Sequence, residues 1–104
     1  MSAKSRDERV AEAVAYALEE LGPEGTWLAV DDRTGGIAAA LPGGAVAWHR
    51  QALSGAAATV APPEGPYDGA VIRLPKGREA FRLVLHQVVA VLKPDAPLVV
   101  AGAN

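Results

Sequence analysis

The chain has 104 residues, half of them apolar and 21% charged, with a formal net charge of −2. That is enough for one small domain with one core, and it excludes a disordered chain. The lack of cysteine excludes disulfides and thiolate metal sites, and the acidic balance is not that of a free-standing nucleic-acid binder.

Alanine is abundant and aromatics make up only 5% of the chain, so the core must be built from small aliphatic side chains. Stability is therefore expected to be modest or to lean on a neighbour. Met1 to Arg9 is charged and has no apolar stretch of the signal-peptide kind. The most apolar region, Phe81 to Leu92, is broken by His86 and Gln87 and is too short to span a bilayer. A cytoplasmic location is the expectation.

In chain order, Ser5 and Glu8 have capping-box spacing, and Val10, Val14, Ala17, Leu18 and Leu21 recur at helical period until Gly22-Pro23. This predicts a helix over 6–21. Thr26 to Val30 reads as a first strand, followed by the polar turn Asp31-Asp32-Arg33-Thr34-Gly35-Gly36. Ile37 to Leu41 is expected to make one or two helical turns. Ala45 to Trp48 is a second strand, Arg50 to Leu53 a helical turn, and Ala58 to Ala61 a third strand closed by Pro62-Pro63.

The fourth strand runs from Tyr67 into the turn Leu74-Pro75-Lys76-Gly77. A helix is predicted over 78–92, with Phe81, Val84, Leu85, Val88, Val91 and Leu92 on its packed face. Leu83 and Val89 widen that stripe and predict cover on more than one side, while His86 is expected at its edge. Lys93 suits the end of the helix and Pro94 stops it. Pro97 to Ala101 is the fifth strand. Apolar strands without strict alternation point to a parallel sheet buried on both faces. The expected architecture is α/β and Rossmann-like. It has about five mostly parallel strands in the order 3-2-1-4-5, with helices on both faces and the sheet and crossovers over 26–101.

Three stretches carry candidate chemistry. The first is Asp31-Asp32-Arg33-Thr34-Gly35-Gly36, at the end of the first strand. Nucleotide-binding folds place closely spaced glycines there so that backbone amides can approach the ligand. This loop has two adjacent glycines without G-x-G-x-x-G, and two aspartates that repel phosphate. A neutral or cationic ligand such as S-adenosylmethionine fits the charges better than the glycine spacing. Asp31, Asp32, Gly35 and Gly36 are the candidate cofactor contacts, against the reading of a solvated turn.

The second stretch is Trp48-His49-Arg50, where adenosine-binding folds often carry an acidic residue for the ribose. Here His49 reads as a surface histidine and Trp48 as a core or domain-interface residue. The third is Arg73 to Arg82, where Arg73, Lys76, Arg78 and Arg82 against Glu79 give a net charge of +3 in an acidic chain. Lys76 and Arg78 flank a helix N-terminus, which favours an anion such as an RNA phosphate or an acidic partner surface. Ser54 and Asp68 have no catalytic companion in the sequence, and Asp68 reads as a turn residue. No catalytic constellation and no metal-ligand spacing is present.

The run Tyr67-Asp68-Gly69-Ala70-Val71-Ile72-Arg73-Leu74-Pro75-Lys76-Gly77 is followed by a helix, by Leu92-Lys93-Pro94, and by Leu98-Val99-Val100-Ala101-Gly102-Ala103-Asn104. This pattern resembles the N-terminal domain of ribosomal RNA small-subunit methyltransferase C-type enzymes, which are guanine-N2 methyltransferases. The resemblance spans Thr26 to Asn104. It implies a tandem enzyme whose C-terminal domain binds S-adenosylmethionine and transfers the methyl group from beside an Asn-Pro-Pro-aromatic turn. The N-terminal domain is a degenerate copy that supports folding and RNA recognition.

Leu74-Pro75-Lys76-Gly77 stands where the catalytic turn would be and offers no amide side chain for the target amine. The resemblance therefore implies a non-catalytic domain of 1–104, a fragment or truncated version of a two-domain enzyme. It would hold no cofactor itself, and its partners would be the catalytic methyltransferase domain and ribosomal RNA. Two alternatives stand beside it: a minimal S-adenosylmethionine-binding methyltransferase, and an interaction module that forms a homodimer through an exposed fifth strand.

Overall fold

The computed structural model describes residues 6–32, 35–41, 45–49, 62–75 and 77–102. Its elements are helix α1 (Arg6–Leu21), strand β1 (Trp27–Val30), helix α2 (Gly36–Ala40), strand β2 (Val46–Trp48), strand β3 (Gly69–Arg73), helix α3 (Arg78–Val89) and strand β4 (Leu98–Ala101). Among the described residues the strands form one parallel sheet in the order β2-β1-β3-β4.

The fold is α/β, with four described strands where five were expected, so the count and order differ from 3-2-1-4-5. The expected third strand, Ala58 to Ala61, lies outside the described residues, as do Ser5 of the predicted capping box and the turn at Arg50 to Leu53. The four strands that are described keep the relative order expected of them.

The layers follow from the period-2 alternation of the strands. Trp27 and Ala29 of β1, with Val71 of β3, turn to one face and pack with Val10, Val14 and Leu18 of α1 and Ile37 of α2. Leu28, Val30, Ala70 and Ile72 turn to the other face and pack with Val84 and Val88 of α3. All four residues of β1 are buried, as expected for a central parallel strand covered on both sides. Val10, Val14 and Leu18 lie four residues apart and form one stripe on α1. Gly22 ends that helix with φ 60°, and its amide donates to the Leu18 carbonyl at 2.9 Å.

Helix α3 ends three residues before the predicted Leu92. The Val91 and Leu92 amides donate three residues back, to Val88 and Val89, at 3.0 and 3.2 Å, which tightens the last turn. The Tyr67 amide then takes the Val91 carbonyl at 2.8 Å, and the Lys93 amide takes the Tyr67 carbonyl at 3.0 Å. An isolated parallel bridge to Tyr67, just ahead of β3, thus draws Leu92 out of the helix. Leu83 and Val89 are 61% and 54% exposed, so the second cover predicted for α3 is not provided by the described residues. His86 is exposed rather than at the edge of the packed face.

At the amino-terminal end of the sheet, Asp68 is more than a turn residue. Its carboxylate accepts the Thr26 amide at 2.8 Å and the Lys93 ammonium at 2.7 Å, tying the starts of β1 and β3 to the segment after α3. The Lys93 hydrogen bond, with the Thr26 amide behind it, holds the carboxyl below its ordinary value of 3.8. A depressed folded-state pKa stabilises the fold above the unfolded value, and that contribution disappears as pH falls through the lower folded value. Asp68→Asn is therefore expected to lower stability at neutral pH and to flatten its loss below about pH 4. Urea midpoints measured down the acid limb for both proteins check this.

Candidate functional site

The carboxyl ends of the four strands define one edge of the molecule. Val30 sits in register with Trp48 on one side and Ile72 on the other, and Arg73 with Ala101. The next row along that edge therefore runs His49, Asp31, Arg73, Ala101. From β1 the chain crosses to β2 on one side, and from β3 to β4 on the other, so the strand order reverses between β1 and β3. Open α/β sheets bind ligands at this kind of switch point. The two loops that the sequence singles out, after β1 and after β3, flank it.

In the loop after β1, Asp31 has φ 58°, a left-handed conformation that turns the chain sharply out of the strand. Its amide donates to the Trp48 carbonyl at 2.8 Å. Asp32 then folds back beneath α2 and is only 8% exposed. One carboxylate oxygen accepts the Ile37 amide at 3.2 Å and the other the Ala38 amide at 2.9 Å. Asp32 thus satisfies two backbone donors at the start of α2 that would otherwise lack partners.

Gly35 precedes α2 with φ 77°, and a Cβ built on it would meet nothing within 4 Å. Its role is the left-handed turn, not room for a neighbouring group. Gly36 is the first residue of α2 and is half-buried.

In the loop after β3, Arg73 is half-buried in the row beside Asp31, and the Leu74 amide donates to the Ala101 carbonyl at 2.7 Å. Leu74 itself is 39% exposed. Gly77 caps α3 with φ 93° and, having no side chain, makes no side-chain cap hydrogen bond. Arg78 and Arg82 project from α3 into solvent. Lys76 lies outside the described residues, as do Arg33 and Thr34.

Two features escape the sequence reading. One is the Asp32 cap; its only local signal is an aspartate placed before a glycine turn and an apolar helix. The other is His49, expected at the surface. It is half-buried, and its Nδ1 is buried without a hydrogen-bond partner among the described residues. Trp48, 2% exposed, belongs to the core on the α3 side.

Among the described residues no group of three His, Cys, Asp or Glu side chains could hold a metal, and no helix is long and apolar enough to cross a membrane. What this edge offers chemically is charge and backbone polarity. Its acidic loop is fastened to α2, and its basic loop opens onto a solvent-facing helix. Comparison with protein-family models, with curated proteins and with solved structures gives no match to this chain.

Proposed function

We propose that the chain is a non-catalytic, Rossmann-like domain of the kind found at the N-terminus of ribosomal RNA guanine-N2 methyltransferases. In this reading it works in the cytoplasm beside an S-adenosylmethionine-binding catalytic domain and helps to position ribosomal RNA. The observation that carries the reading is the Asp32 cap. A cofactor loop must leave its amides open to the ligand. Here Ile37 and Ala38 give theirs to a buried carboxylate, and the helix they begin has only five residues.

The same observation weighs against the minimal methyltransferase built on Asp31, Asp32, Gly35 and Gly36. After β3, Leu74 and Pro75 supply no amide side chain to hold a guanine amine. The RNA contact falls to Arg73, Lys76, Arg78 and Arg82.

Titration of the chain with a fluorescent small-subunit rRNA fragment tests the RNA part. Binding is expected to weaken as salt rises, and the pair Arg73→Glu and Lys76→Glu to reduce affinity by about tenfold. Unchanged affinity and salt dependence would contradict it.

A second reading, homodimerisation through β4, has its own support. Leu98 to Ala101 carries no charge, bonds only to β3 among the described residues, and leaves Val100 43% exposed. A molar mass that rises towards twice that of the chain with concentration is its expected signature, and a constant monomeric mass would remove it.

A further inference from the structure

The outer surface of α3 defines more closely what such a domain would hold. We infer, on the reading that this chain contacts ribosomal RNA, that the contact is made to the phosphate backbone of duplex RNA along the ridge Arg78, Arg82 and His86. These three residues follow one another at intervals of four, so they form one row with about 6 Å of rise between neighbours. All three are exposed, on the side of the helix away from the buried Val84 and Val88. Their side chains make no hydrogen bond or ion pair among the described residues.

The row begins five residues after Arg73, which is half-buried at the carboxyl end of β3. Glu79 is the sole acidic residue of α3 and lies one step round from the row. His86 needs no charge for this role, because a neutral imidazole still has one N–H to donate to a phosphate oxygen.

The placement of the aromatic residues selects duplex over single-stranded RNA. Single-strand binders stack bases on exposed aromatic rings, whereas duplex RNA is held through its shape, phosphates and 2′-hydroxyls. The chain has two Trp, two Tyr and one Phe. Trp27, Trp48 and Tyr67 are 1%, 2% and 3% exposed, and Phe81 is half-buried. Tyr16 is 71% exposed but belongs to α1, on the opposite face of the sheet. The ridge thus combines cationic and N–H donors with no exposed Trp, Tyr or Phe beside it; its one ring is the small His86 imidazole, and exposed Leu83 and Val89 flank it.

The test is fluorescence anisotropy of the whole chain with an RNA hairpin and with an oligouridine of equal length, across a range of salt. The hairpin is expected to bind at least about fivefold more tightly, with a log–log salt slope of roughly two to three. Arg82→Glu should weaken hairpin binding and lower that slope by about one, while Arg82→Lys retains it, and His86→Glu should weaken hairpin binding by placing a carboxylate against the phosphates. Both reversals sit on exposed positions and should leave the thermal midpoint unchanged.

Tighter binding to oligouridine would overturn the assignment to duplex RNA. Hairpin binding that responds to Arg73→Glu and Lys76→Glu but not to Arg82→Glu or His86→Glu would overturn the ridge and leave the broader RNA reading standing. No binding to either RNA would overturn both.

Discussion

Trp27→Ala is expected to lower stability by about 3–5 kcal/mol, a large share of the roughly 5–15 kcal/mol that holds a small domain together. The indole is 1% exposed, and its Nε1 donates to the Glu24 carbonyl at 3.1 Å. It packs against α1, with Ala29 and Ala101 among its buried neighbours and Ala38, Ala40 and Ala45 at the margin of the cluster. Alanines have no side-chain atoms that can swing into the space an indole leaves, so the cavity persists and adds to the lost burial.

The fit also operates from the other side of the same contact. A Cβ on Gly69, which is in register with Trp27, would lie 2.5 Å from the indole carbons. Gly69→Val is therefore expected to cost about 1–3 kcal/mol through overpacking. Urea unfolding followed by far-ultraviolet circular dichroism measures both variants. A shift in the Trp27→Ala midpoint worth less than about 1 kcal/mol would mean that this layer repacks freely.

Asp32→Ala is expected to cost about 1–3 kcal/mol, because the Ile37 and Ala38 amides lose their acceptors and the Ile37 contact is buried. The damage should spread beyond the cap. Ile37 and Leu41, 3% and 7% exposed, bind the segment of α2 to α1 and the sheet. Asp32→Asn keeps one carbonyl oxygen as acceptor, so it should fall between Asp32→Ala and the parent. Hydrogen exchange at the Ile37 and Ala38 amides reads the cap directly: their protection should collapse in Asp32→Ala and decrease only in part in Asp32→Asn. Equal protection in all three proteins would show that the carboxylate is not what secures α2.

Much of this fold is legible in local sequence. Val10, Val14 and Leu18 declare α1, Gly22-Pro23 declares its end, and the short apolar runs declare β1 to β4, because periodicity and turn residues act over a few neighbours. The basic cluster from Arg73 to Arg82 was legible for the same reason. What was not legible depends on contacts between distant residues. The end of α3 shifts because Tyr67 pairs with the chain at Val91 to Lys93. Leu83 and Val89 look like core residues by type and spacing, yet the described part of the molecule leaves them in solvent. Asp32 reads as one of two solvated aspartates until the chain returns five and six residues later with amides to bond. His49 reads as a surface residue because nothing local signals that β2 carries its Nδ1 into a buried position.

The measurement that tests the account most directly is isothermal titration of the folded chain with S-adenosylmethionine. A domain whose loop after β1 is closed by its own carboxylate should give no saturable heat up to about millimolar cofactor, with folding verified on the same sample. Saturable binding that S-adenosylhomocysteine displaces, and that substitution at Asp31 or Gly36 weakens, would contradict the account and return this loop to the role of a cofactor site.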